Sequence, residues 1–141
     1  MVSLIVGEKG KGKTKFLLEK ANDAVKNAEG HIVYIDKNAK HMYELNNRVR
    51  LIDASRYPLT NGDAFMGFVC GIASQDHDLQ EIYLDSFLQN TKVEDHSERI
   101  REYIKELETI SKLCSVDFVI SLSKNKADLD ESLYDNIIIS L

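Results

Sequence analysis

Residues 7–14 read GEKGKGKT, and Gly7, Gly12, Lys13 and Thr14 satisfy the phosphate-binding loop pattern G-x-x-x-x-G-K-[ST] without a mismatch. The apolar run from Val2 to Val6 leads into this segment and an amphipathic run leaves it, which is the strand, loop and helix context the pattern requires. Glycines remove the Cβ atoms that would keep backbone N–H groups away from a phosphate. The first helical turn adds unpaired N–H groups and a positive dipole end. The candidate nucleotide-binding segment is therefore Gly7, Glu8, Lys9, Gly10, Lys11, Gly12, Lys13, Thr14 and Lys15. Within it Lys13 is expected to meet the β- and γ-phosphates as a catalytic point charge, and the Thr14 hydroxyl to ligate Mg2+. Lys9 and Lys11 read as solvated cations, with contact to a terminal phosphate as the other option.

Beyond the loop, Leu17, Ala21, Ala24, Val25 and Ala28 form one apolar stripe, with Gly30 as a helix stop. HIVYID then reads as a strand ending at Asp36, and RVRLID as one ending at Asp53, with a short helical stretch near Ala39 to Leu45 between them. Pro58, the only proline, marks a loop. Phe65, Phe68, Val69 and Ile72 fall at helical spacing, so residues 62–75 read as a largely buried helix in which Gly67 and Gly71 permit close packing. EIYLD supplies a strand ending at Asp85. From about His96 to Leu113, Ile100, Tyr103, Ile104, Leu107 and Ile110 share a helical face, and Asp95 with Glu98 fits a capping box. VDFVISL and NIIISL are the last strands, flanking a short helical segment around Ala127 to Tyr134.

Apolar strands without strict alternation, separated by helices, predict a three-layer α/β fold with a mostly parallel central sheet of five to six strands. In such sheets ligands bind beyond the carboxyl ends of the strands, where the loop, Asp36, Asp53, Asp85 and Ser121 to Ser123 gather. With 141 residues, 43% hydrophobic and 29% charged, residues 1–141 suit one domain and not two. The net charge of -5 offers no general basic face for nucleic acid. No window approaches the roughly 20 apolar residues of a membrane span. Cys70 and Cys114 show no metal-binding or redox spacing and read as buried free thiols, which points to the cytoplasm. His31, His41, His77 and His96 have no spacing suited to metal, and Asp76-His77-Asp78 reads as a solvated turn.

Ile82, Tyr83 and Leu84 followed by Asp85 read as a buried strand ending in a carboxylate, placed to hold magnesium through a water opposite Thr14. Two strands separate the loop from this acidic strand, an order that resembles the RecA-like and related ATPases with an additional strand between the loop strand and the acidic strand. The resemblance implies a P-loop NTPase fold in which VDFVISL is the inserted strand, and Ser121 or Ser123 at its end senses the γ-phosphate. Many members of that group place a glutamate directly after the acidic residue to orient water, and this chain has Ser86 there. RecA-like recombinases place theirs two residues beyond the strand that follows the loop helix, where this chain has Asn38. Without either carboxylate slow hydrolysis is expected, with Asp36 the substitute catalytic base. Glu8 stands where partition-type ATPases carry a signature lysine, which disfavours that subclass. The whole chain is also similar to small stand-alone bacterial P-loop proteins labelled twitching-motility ATPases, which implies nucleotide binding and no particular process.

The ligand expected is therefore ATP with Mg2+, in a nucleoside triphosphatase. Asn125, Lys126 and Asp128 spell N-K-x-D, which resembles the guanine-reading motif of small GTPases and keeps GTP as an alternative. A small-molecule kinase is a second alternative, with Arg56 the sole candidate phosphate clamp within the chain. A third is a nucleotide-controlled module that presents the Arg56 to Gly62 loop to a protein partner or a second copy. Tyr34 and Tyr83 read as core strand residues, with stacking on a base as the other option.

Overall fold

The computed structural model describes every residue from Met1 to Leu141. Six strands, β1 (Val2–Val6), β2 (His31–Asp36), β3 (Val49–Asp53), β4 (Leu79–Leu84), β5 (Asp117–Leu122) and β6 (Ile137–Ser140), form one sheet in the order β3-β2-β4-β5-β1-β6. Every pairing is parallel. Parallel neighbours need crossovers: α1 (Lys13–Asn27), α2 (Gly62–Gln75), and α3 (Phe87–Thr91) with α4 (Ser97–Cys114) lie in the connections β1 to β2, β3 to β4 and β4 to β5, while β2 to β3 and β5 to β6 are joined through 3-10 turns. The predicted α/β architecture is the observed one, and VDFVISL, as β5, lies between β1 and β4.

Strand alternation divides the core between two faces. Ile5, Ile32, Tyr34, Tyr83 and Val119 pack with Leu17, Ala21 and Val25 of α1. Leu4, Val6, Val33, Ile35, Ile82, Leu84, Phe118 and Ile120 pack with Phe65, Val69, Phe87, Ile104 and Leu107 from the other three helices. One further step of the same alternation carries Asp36, Asp85 and Ser121 to the α1 face, which is the face that the loop at residues 7–12 enters. The central strands β1, β2, β4 and β5 are buried on both faces, which explains their continuous apolar runs.

Several local expectations need correction. The turn before α4 is closed by the His96 N–H donating to Val93, so α4 starts at Ser97 and Asp95 falls outside the cap position. No side chain caps that helix. The stretches near 39–45 and 127–134 are only 3-10 turns, at Met42–Glu44, Lys126–Asp128 and Glu131–Asn136. Gly67 and Gly71 lie on the exposed side of α2, and a Cβ at either would meet nothing within 4 Å. Gly30 does not end α1, whose cap is Ala28; it permits a close approach, since a Cβ there would sit 2.0 Å from the Asp78 carbonyl oxygen. Cys70 and Cys114 are unbonded but half-buried. No helix is long and apolar enough to cross a membrane.

Candidate functional site

Gly10 and Gly12 adopt φ of 81° and 90°, the left-handed region that favours glycine, and so turn the chain from β1 into α1. The Gly7 N–H donates to the Lys124 carbonyl at 2.8 Å, and Asn125 Nδ2 donates to Glu8 Oε1 at 2.8 Å. The chain after β5 thus buttresses the first half of the loop. Lys13 folds back so that its Nζ donates to the Glu8 carbonyl at 2.9 Å, and only 7% of the residue is exposed. Burial pushes this ammonium below its ordinary range, and the Asp85 carboxylate opposes the shift.

Across the loop, Asp85 follows β4 directly and is fixed by three donors. Tyr34 Oη donates to its Oδ2 at 2.7 Å, Ser121 Oγ to Oδ1 at 2.8 Å, and the Ser86 N–H to Oδ1 at 2.9 Å. Asp36 is equally buried at the end of β2, where its Oδ1 accepts from the Lys37 N–H at 2.7 Å and from Ser86 Oγ at 3.4 Å. Ser86 therefore links the two carboxylates. Burial first, and the Asp85 charge second, raise the Asp36 carboxyl above the usual carboxylate range. Ser86 itself has φ 55°, an uncommon conformation for a residue with a side chain, and begins the short helix α3.

A cleft of about 480 Å³ opens between these walls, and none of its twelve lining residues is hydrophobic. Lys9, Gly10, Gly12, Lys13 and Thr14 line one side, and Asp85, Ser86, Ser121 and Ser123 the other. Lys37, His41 and Gln89 complete it, and sequence reasoning missed all three. With three lysines against one carboxylate, the lining favours an anion. A larger groove of about 640 Å³ lies between β3 and α2, but it holds no loop residue and neither buried aspartate. The polar cleft is the candidate because the loop, the helix start and the ordered carboxylate converge there.

The remaining sequence candidates are placed less directly. Gly7, Glu8, Lys11, Lys15 and Asp36 do not line the cleft. Asn125, Lys126 and Asp128 also stand off it: Asn125 is bonded to Glu8, and Lys126 Nζ sits 4.7 Å from the Tyr134 ring centroid. Arg56 is exposed outside the cleft. Tyr34 and Tyr83 are fully buried and stacked on each other with centroids 6.2 Å apart, which excludes stacking on a base. Asp76 Oδ2 accepts from His31 Nδ1 at 2.6 Å, and no group of three potential His, Cys, Asp or Glu ligands occurs.

Thr14 and Asp85 suit magnesium, a hard cation that takes oxygen ligands and keeps several of its waters. Asp85 Oδ1 already accepts two protein hydrogen bonds and Oδ2 one, so Oδ2 retains the lone-pair capacity for a metal-bound water. No family model matches the chain, and no curated protein matches it.

Proposed function

We propose that this protein binds a nucleoside triphosphate with Mg2+ in the polar cleft, that the nucleotide is ATP, and that hydrolysis is slow. The observation that carries the reading is the opposition of the Lys13 loop to an Asp85 carboxylate held by three donors. Loop N–H groups and the α1 N-terminus meet the phosphates, Lys13 exchanges its bond to the Glu8 carbonyl for phosphate oxygens, and Thr14 with Asp85 holds the metal and its water. Magnesium supplies charge neutralisation on the β- and γ-phosphates. Asp36 is assigned a supporting part, holding Ser86, because it stands off the cleft wall.

The strand order supports membership of the RecA-like, additional-strand ATPase group, and adenine is preferred on that resemblance. The placement of Asn125 and Lys126 argues against guanine reading. The exposed position of Arg56 gives a phosphotransfer lid no support. A cytoplasmic location is the companion proposal, resting on two unbonded thiols in a chain with no membrane-spanning helix.

Titration with ATP and GTP, each with and without Mg2+, is the test. ATP binding that strengthens with magnesium and is lost in Lys13→Ala supports the reading. Equal or tighter GTP binding overturns the adenine preference, and undiminished binding by Lys13→Ala overturns the site.

A further inference from the structure

Gln89 Oε1 is the only buried side-chain nitrogen or oxygen in the protein without a hydrogen-bond partner. Buried polar atoms are nearly always paired, so such an orphan demands a reason. Its surroundings supply one. Gln89 lines the polar cleft together with Lys13, Thr14 and Asp85.

The rest of α3 is committed elsewhere. Phe87, Leu88 and Thr91 are buried, and Thr91 Oγ1 donates to the Phe87 carbonyl at 2.8 Å. Asn90 Nδ2 donates to the Asp85 carbonyl at 3.3 Å, tying the helix to the strand end. The left-handed Ser86 sets the direction in which the helix leaves the sheet. Gln89 is thus the one side chain of α3 that lines the cleft, and its carboxamide oxygen, shielded from solvent, has no protein partner.

We infer that Gln89 orients the attacking water for γ-phosphate hydrolysis, taking the positional task that Ser86 cannot perform. The inference rests on the nucleotide reading above. Turned from its buried position into the cleft, the carboxamide oxygen accepts from a water O–H and so orients a nucleophile without taking a proton. The water oxygen forms a bond to the γ-phosphorus, and the bond from that phosphorus to the β–γ bridging oxygen breaks, its electron pair remaining on the β-phosphate. The water proton leaves with inorganic phosphate. No redox change or further reactant is involved.

The test uses Gln89→Met, which preserves side-chain volume, and Gln89→Ala. Because no protein hydrogen bond is lost at Oε1, both variants are expected to unfold at or above the wild-type temperature. ATP and ADP affinities in Mg2+ should stay within about twofold, as expected when only transition-state contacts are removed. Single-turnover hydrolysis should fall about 100-fold, the scale of losing one positioned transition-state group. The tightening of ADP binding by aluminium fluoride, which mimics the in-line transition state, should disappear.

Unchanged aluminium fluoride tightening in both variants overturns the inference, and so does loss of ATP affinity in parallel with hydrolysis. A wild-type protein that binds ADP but shows no such tightening overturns it too, while nucleotide binding stands. Absence of ATP binding by the wild type overturns the nucleotide reading itself.

Discussion

The Tyr34 hydroxyl donates to Asp85 Oδ2 at 2.7 Å between neighbouring strands, with both residues buried. Tyr34 is stiffened by its stacked neighbour Tyr83. Burial, then the Asp85 charge, pushes the phenol far above its ordinary range, so it remains a donor at any working pH. Tyr34→Phe keeps the ring and removes only this bond to a charged acceptor. It is expected to destabilise the fold by about 1.5–3 kcal/mol in urea unfolding. It should also weaken the magnesium-dependent part of ATP affinity several-fold, since Asp85 loses one of its three positioning donors. Unchanged stability and metal dependence would show that Ser121 and Ser86 suffice.

Two loop glycines give a cleaner test of backbone conformation. A Cβ at Gly10 or Gly12 would meet nothing within 4 Å, so Ala substitution introduces conformational strain without a clash. Each is expected to cost about 1–2 kcal/mol in the left-handed region. Chemical denaturation measures that loss, and titration with ATP should show a larger fractional loss of affinity, because relief of strain re-aims the loop N–H groups. Retained affinity would mean that these groups do not form the phosphate cradle.

Glycines in α2 should respond in opposite directions. Gly67 and Gly71 are exposed helical positions with open space around them, so Ala at either should stabilise by about 0.5–1 kcal/mol. A Cβ at Gly62 would lie 2.4 Å from Tyr103 Oη and 2.6 Å from the Thr91 carbonyl, so Gly62→Ala should destabilise. Thermal unfolding of the three variants reads the contrast. A fall in melting temperature for Gly67→Ala would restore the view that this glycine is packed.

The same helix shows where the sequence stops being informative. Phe65 and Val69 are buried as their spacing implies, but glycine carries no hydropathy signal, and so nothing located Gly67 and Gly71 on the open side. The sheet was legible because strands buried on both faces must be apolar throughout, and the turn from β1 into α1 because glycine favours the left-handed conformations it adopts there. Asp85 was legible as the polar end of such a strand. Its partners were less so: Ser121 and Ser123 both line the cleft, but the bond from Ser121 Oγ to Asp85 Oδ1 depends on a side-chain approach between strands that no sequence pattern displays. Five-residue α3 is too short for periodicity to register, and Gln89 went unnoticed with it. Lys37 and His41 reach the cleft through the irregular segment after β2, whose course no periodic pattern predicts.

Away from the cleft, His31 Nδ1 lies 2.6 Å from Asp76 Oδ2, joining the start of β2 to the end of α2. The hydrogen bond to Asp76, followed by its charge, raises the His31 pKa above the ordinary 6.5, with Asp78 adding to the shift and Arg50 opposing it. The same bond lowers Asp76 below the ordinary 3.8. A raised histidine stabilises fully below its unfolded value and loses that contribution as pH rises through the folded value. A lowered aspartate stabilises above its unfolded value and loses that contribution as pH falls through the folded one. The pair therefore contributes most between pH 3.8 and 6.5 and fades on either side. Asp76→Asn keeps the oxygen that accepts from the Asp78 N–H but removes the charge facing His31. Its stability deficit should be largest inside that window and shrink as pH rises above 6.5, while the His31 titration followed by NMR moves down toward 6.5. A deficit independent of pH would assign the contact to packing of the turn and not to the ion pair.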